Sequence, residues 1–256
     1  MQKKIEQIIE TSPYKIHVIV EDYKTGSIPI FTRAHEVFSS ASVIKVPILM
    51  AVLHQLQQTD GDLQQIISIK PENVVDFSVL TERGQGTVTL HELLLWMIIT
   101  SDNTATNECI DILGMDALNC YFKKFGLKNT VIQRKMMDFT RQLQGFDNET
   151  TAEDMRHLFK QIFEGTLLNS KWNAEALNIL CRQRCHESLK RYIVDDIKIA
   201  HKTGGLDTVD HDAGIIFTDN GDYFIGVFIT EVVDNEQAKR MIGTISKIVY
   251  DQFTKN

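Results

Sequence analysis

The chain has few of the features that mark specialised protein classes. Only four of its 256 residues are cysteine (Cys109, Cys120, Cys181 and Cys185). That is too few for a disulfide framework, and the spacing does not suit a zinc site, so reduced packing thiols and no metal or other cofactor are expected. Proline is equally scarce at four residues, and there is no Pro/Gly/Ser-rich linker, internal repeat or low-complexity stretch, so its lobes are expected to pack as one body. Basic residues are outnumbered, 27 Lys and Arg against 34 Asp and Glu, for a formal charge of −7. With no basic arm either, no nucleic-acid partner is expected. No apolar run approaches the roughly 20 residues of a membrane helix, so no membrane partner is expected. The segment Met1 to Glu10 lacks the apolar core and small-residue cleavage site of a secretory signal. As written the chain is expected in the cytoplasm, or outside it if a leader has been removed.

What is present, 43% hydrophobic and 24% charged residues, is enough to bury a sizeable core. Ile5, Ile8 and Ile9 fall at helical spacing before Pro13. Tyr14 to Asp22 then alternates around Ile16, Val18 and Val20 as a strand, with Ile28 to Thr32 as its hairpin partner. From Val43 the pattern is helical for roughly 140 residues. Start signals fall at Thr89, with Glu92, and at Thr151, with Asp154, and stops at Gly114, Gly126 and Gly165. Strands are expected again at Ile197 to Lys202, Gly214 to Thr218 and Tyr223 to Thr230, before a helix from about Asn235 to Phe253. The order predicts an α/β plus all-α fold: an antiparallel sheet flanked by helices (residues 1–38 and 191–256) with an inserted all-helical domain (39–190). The site is expected at the interface of the two.

Three short motifs carry chemistry. Ser42-Val43-Ile44-Lys45 opens a helix, which puts hydroxyl and amine on one side, one turn apart. A buried, neutral amine there can take the serine proton, and the helix N-terminus offers N–H groups to an oxyanion. Ser101-Asp102-Asn103, between two helices, can aim a hydroxyl and a carboxamide into a cleft, although the same residues also make good helix caps. Lys202-Thr203-Gly204-Gly205 lies at a strand end, where glycine leaves room for a substrate backbone against the edge. Two decoys are set aside. Ser12 to Lys15 runs from a helix stop into a strand, and Lys24-Thr25-Gly26 reads as a hairpin turn.

Taken as an ordered set, the three motifs are the combination carried by class A β-lactamases and penicillin-binding proteins. Together with Thr87 to Leu93 and Ser101 to Asn107, they make nearly the whole chain resemble the class A β-lactamase family, and so imply the β-lactamase/transpeptidase-like fold. The resemblance implies Ser42 as acylated nucleophile, Lys45 as its proton partner and Ser101 as relay to the β-lactam nitrogen. It further implies Asn103 as ligand of the substrate side-chain amide, and Lys202 and Thr203 as anchors of the substrate carboxylate. The oxyanion hole would be the N–H groups of Ser42 and Gly205, and Phe77 resembles the aromatic residue at the cleft mouth.

Two departures from that pattern stand out. Family members that turn over β-lactams carry an Arg-x-Glu-x-x-x-Asn loop whose glutamate activates the deacylating water. Ungapped counting back from Glu149-Thr150-Thr151 puts Arg134 at the arginine, Met136 at the glutamate and Thr140 at the asparagine. A thioether is no base for water, so an acyl-enzyme would accumulate unless Asp138, two residues on, supplies a carboxylate from a rearranged loop. Otherwise Asp138 is a solvated loop residue. The family's basic residue before a Gly-Ile-Ile strand is replaced by Ala213, with His211 either a partial substitute for its charge or an exposed loop histidine. The expected function is a serine hydrolase that opens a small-molecule β-lactam through a Ser42 acyl-enzyme with impaired deacylation. The alternatives are an esterase or D-alanyl peptidase-like hydrolase, or a covalent β-lactam sensor without turnover.

Overall fold

The computed structural model describes residues 1–84 and 86–254. Gln85, inside the expected helical stretch, and Lys255 and Asn256, at the end of the expected α/β unit, lie outside the described residues. The elements run α1 (Gln2–Thr11), β1 (Lys15–Asp22), β2 (Ile30–Thr32), β3 (Phe38–Ser39), a 3₁₀ turn (Ala41–Ile44), α2 (Lys45–Thr59) and β4 (Ile66–Ser68). Next come α3 (Val79–Glu82), β5 (Thr87–Thr89), α4 (Leu90–Ile99), α5 (Asn103–Leu113), α6 (Met115–Lys124), α7 (Phe139–Leu143), β6 (Glu149–Thr150), α8 (Ala152–Glu164) and α9 (Ser170–Cys181). The chain closes with β7 (Ile199–Leu206), β8 (Val209–Ile216), β9 (Tyr223–Thr230) and α10 (Asn235–Thr254). No helix among the described residues is long and apolar enough to cross a membrane.

The sheet is antiparallel in the order β2-β1-β9-β8-β7, so the N-terminal strand is paired with the last one and both chain ends belong to one layer. Side chains alternate across a strand, and the two faces meet different partners. Ile16, Val18 and Val20 of β1, with Ile225, Val227 and Ile229 of β9, pack beneath α1 and α10 against Ile5, Ile242, Ile245 and Val249. Ile19, Phe224, Phe228, Ala213 and Ala200 face the other way and join the core of the helical block. On that face α8 is tied to β1 by charge as well as by packing: the buried Glu21 carboxylate receives Arg156 and, at 2.6 Å, Lys160.

Most expected elements appear, with their caps. Thr89 and Glu92 form a reciprocal capping box, and Thr151 accepts the Asp154 N–H at the start of α8. Lys24-Thr25-Gly26 is the turn after β1, with Gly26 at φ +71° and the Lys24 and Thr25 N–H groups held by Asp22. Two strands depart from expectation. β7 and β8 extend from Ile199 to Leu206 and from Val209 to Ile216, so Lys202-Thr203-Gly204 lies inside a strand and not at its end. The apolar pattern breaks at Asp210-His211-Asp212, but each side chain is buried with a partner: Asp210 with Asn235, His211 with Ser39 O and Asp212 with His201. A polar residue so satisfied is compatible with a buried strand. The short pairs β3 with β6 and β4 with β5 were not evident in the sequence.

The tight pairing of β7 with β8 depends on Gly214, opposite His201. A Cβ at Gly214 would lie 2.4 Å from both the Ala200 carbonyl oxygen and His201 Cβ. Gly214→Ala should therefore destabilise the fold by about 1–3 kcal/mol, seen as a lower urea midpoint at an unchanged m-value. An unaltered midpoint would mean that the two strands part more easily than their packing indicates.

Candidate active site

The cleft is built around the junction of β3 and α2. Ser40 fixes the approach: its N–H and its hydroxyl both donate to Asn148 O, at 2.8 and 3.0 Å. Ala41 follows with φ +43°, a left-handed conformation that turns the chain sharply into the 3₁₀ turn holding Ser42. Ser42 is half-buried and lines a cleft of about 400 Å³, together with Phe77, Ser101, Asn103, Met136, Thr203 and Gly205. Four of the seven non-glycine residues at positive φ among those described (Ala41, Phe77, Ser101 and Met137) lie on this cleft. Such conformations cost of order 1–3 kcal/mol each and persist where the surroundings over-determine them.

Alternation along β7 points Ala200, Lys202 and Gly204 at the helical block. The Cβ that Gly204 lacks would come within 3.0 Å of Ser42 N and 3.1 Å of Val43 N. The glycine thus admits the backbone of the Ser42 turn, not that of a substrate as the sequence suggested. Gly205 has only ordinary neighbours at that place, Asp210 Oδ1 at 3.4 Å and Val209 O at 4.0 Å.

Two fully buried lysines converge on one hydroxyl. Lys45 Nζ donates to Ser101 O at 2.7 Å, Ser101 Oγ at 3.1 Å and Asn103 Oδ1 at 2.8 Å. Lys202 Nζ donates to the same Ser101 Oγ at 3.0 Å and to Thr203 O at 2.7 Å. Desolvation, and then the charge of Lys202, hold the Lys45 amine well below the ordinary lysine range. Lys202 is pushed down to about 8, chiefly by desolvation, with Cys185, Asp212 and Glu187 pulling the other way. The amine contact predicted for Ser42 is not formed in this arrangement, since the partners of Lys45 are Ser101 and Asn103. Resting hydrogen bonds of this kind often tighten only when substrate is bound.

Asp102 is the cap anticipated as the competing reading, and it does more than cap. It accepts the Ala105 N–H at 2.8 Å, the Ser78 hydroxyl at 3.0 Å and the Leu80 N–H at 3.0 Å, tying the turn to the segment that carries Phe77. Asn103 N donates to Phe77 O, and Phe77, 80% exposed, stands at the mouth.

The floor is the loop from Arg134 to Asn148. Arg134 Nε pairs with Asp147 at 2.8 Å, and the N–H groups of Gln133 and Arg134 share Asn148 Oδ1. Met136 is held at its backbone from both sides: its N–H donates to Asn107 Oδ1 at 2.8 Å and its carbonyl receives Asn107 Nδ2 at 3.3 Å. Lys135 adds an ion pair with Asp111 at 2.7 Å. Asp138 instead caps α7, accepting the Arg141 N–H at 3.1 Å, and is not among the residues that line the cleft. Thr140 is exposed on that short helix. The clamp residue Asn107 was not singled out from the sequence, although it closes the quoted stretch Ser101 to Asn107.

His211 corrects both alternatives entertained for it. It is buried within β8, 1% exposed, and its Nε2–H donates to Ser39 O at 2.9 Å, two peptides before Ala41. Burial pushes it down to about 4, so at neutral pH it carries no charge for a substrate and instead holds the approach to Ser42 through Ser39.

A serine on a helix-opening turn, in one cleft with a second serine at which two buried lysines meet, is an arrangement suited to serine-based acyl transfer. A family model described as the beta-lactamase enzyme family matches residues 1–253, and the chain belongs to that family. A beta-lactamase of Bacteroides uniformis is 26% identical over 98% of this chain and 90% of its own length. The extended-spectrum beta-lactamase PER-1 of Pseudomonas aeruginosa is 25% identical over 87% of this chain and 77% of its own. Among solved structures, a mutant of PBP-A as an acyl-enzyme complex with penicillin G is 28% identical, with a TM-score of 0.91 over 100% of this chain and 96% of that one.

Gly204→Ala should separate site from fold. Displacing the Ser42 turn by a few tenths of an ångström should lower the rate of Ser42 acylation about 10–100-fold, followed by intact-mass spectrometry, with little change in melting temperature. Wild-type acylation in this variant would show that the turn tolerates the methyl group and that the close approach is incidental.

Proposed function

We propose that this protein is a class A β-lactamase-like serine hydrolase that opens the β-lactam ring readily and releases the product slowly. Ser42 lies on the seam between a proposed α/β unit (1–38 and 191–256) and a proposed helical unit (39–190). In this reading Lys45, deprotonated first of the two lysines, takes the Ser42 proton as Oγ attacks the lactam carbonyl. The N–H groups of Ser42 and Gly205 receive the oxyanion. Collapse breaks the C–N bond, and the proton returns through Ser101 to the leaving nitrogen. The products of this half-reaction are a Ser42 ester and a secondary amine. Lys202, still cationic, and Thr203 hold the substrate carboxylate, Asn103 the side-chain amide, and Phe77 covers the mouth.

The observation that carries slow release is Met136. Its backbone is clamped by Asn107 and its side chain, 7% exposed, lines the cleft floor, where a thioether offers no base to water. The likeness to PBP-A in an acyl-enzyme complex favours a second reading, a D-alanyl peptidase-like or esterase activity on a substrate whose acyl-enzyme needs no such base. A covalent sensor without turnover is the limiting case of the same chemistry.

Wild-type protein should give a stoichiometric burst with a chromogenic cephalosporin and then a slow steady state. Met136→Glu should raise the slow phase about 10²–10⁴-fold. Asp138→Asn should leave it unchanged and cost little stability, because asparagine caps a helix as well as aspartate does. Fast wild-type turnover that collapses in Asp138→Asn would overturn the assignment.

The lysines predict a pH profile. Lys202 is cationic below about 8 and neutral above it. The second-order rate of acylation by penicillins, which carry a carboxylate, should therefore fall as pH rises through about 8, whereas a neutral nitrophenyl ester should show no such fall. Parallel profiles for both substrates would remove Lys202 from carboxylate recognition.

A further inference from the structure

The free charges on the cleft walls are of one sign. Arg134 is engaged with Asp147 and its side chain is 5% exposed. Lys45 and Lys202 are buried behind Ser101 and bonded to it, and His211 is turned to Ser39 O. The charged side chains left at the opening are Glu187, on the segment between α9 and β7, and Asp207, on the turn joining β7 to β8. Both are exposed, and neither carboxylate takes part in a hydrogen bond or ion pair among the described residues. Glu187 also lies near enough to Lys202 to favour its charged form. Two exposed rings, Phe77 and Phe139, line the same opening and offer faces to an apolar group or a cation.

We propose that Glu187 and Asp207 make the cleft selective for acyl donors whose side chain carries an ammonium group, and select against those with a second carboxylate there. The proposal rests on the Ser42 acyl-enzyme reading and names the substrate class of that same site. Glu187 precedes β7 in the chain and Asp207 follows it, and both line the cleft that a substrate would enter. The charge that Lys202 holds for the substrate's ring carboxylate is already bonded and buried. It does not neutralise a second anion placed further out. Both carboxylates face solvent, so each is expected to change rates by about two- to fivefold, and salt should weaken the effect.

The test uses three penicillins that share a phenylacetyl side chain and differ only at the para position: hydrogen, aminomethyl or carboxylate. Ser42 acylation is followed by intact-mass spectrometry at pH 7 for the wild type, Glu187→Gln, Asp207→Asn and the double variant. The expected order in the wild type is aminomethyl, then hydrogen, then carboxylate. The spread should narrow in each single variant, nearly vanish in the double variant, and shrink between about 0.02 M and 0.5 M salt. Equal rates for the three compounds in the wild type, or a spread that survives in the double variant, would overturn the selectivity while leaving the acyl-enzyme intact. Failure of all three to label Ser42 would overturn the acyl-enzyme reading, and the selectivity with it.

Discussion

Two amines buried around one hydroxyl form the constraint on which the rest of this structure depends. Lys45 and Lys202 each lie within hydrogen-bond distance of Ser101 Oγ, so their nitrogens are no more than about 6 Å apart. At an effective dielectric of about 20, two full charges at that separation repel by about 3 kcal/mol, on top of the desolvation each suffers. The favourable solution is for one to give up its proton. Lys45 has the Asp102 carboxylate nearby and Lys202 has Asp212 and Glu187, but desolvation and then the charge of Lys202 outweigh Asp102 at Lys45, so the loss falls on Lys45. The donor count allows it. A neutral Lys45 keeps two N–H groups for Ser101 O and Asn103 Oδ1, and its third contact, to Ser101 Oγ, then reverses so that the hydroxyl donates to the amine while its oxygen accepts from charged Lys202. A neutral amine, a shared hydroxyl and a cation thus arise from one arrangement.

Much of the remaining architecture holds those three groups in register. β7 delivers Lys202 and Gly204 to the same face, so the cation and the gap that admits the Ser42 turn come from one alternation. Asp102 holds the Ser101 turn to the Phe77 segment, Asn148 and His211 hold the approach to Ala41, and Asn107 holds the floor at Met136. Four left-handed residues on the cleft wall show that local preference is overruled there.

The periodic elements were legible because they obey one period throughout. Tyr223 to Thr230 was read with its observed bounds, and the Thr89 and Thr151 caps stand where the side chains required them. The strands around Asp210-His211-Asp212 were read too short because their polar residues find partners only in three dimensions, on β3, β7 and α10. Ser42, Lys45, Ser101 and Lys202 were visible as motifs, and the structure brings them to one cleft. The clamp of Asn107 on Met136 and the free carboxylates of Glu187 and Asp207 were not visible. Nothing in their local sequence distinguishes them from ordinary surface residues, and only the packing of distant segments puts them on the cleft.

The order in which the two lysines lose their protons is the centre of this account. It can be read directly by an NMR titration of the ¹³Cε signals of lysine, with Lys45→Arg and Lys202→Arg used to assign the two resonances. The account predicts that Lys45 titrates first, well below the ordinary lysine range, and that Lys202 follows near about 8. Lys202 titrating before Lys45, or both remaining charged into the ordinary lysine range, would contradict it.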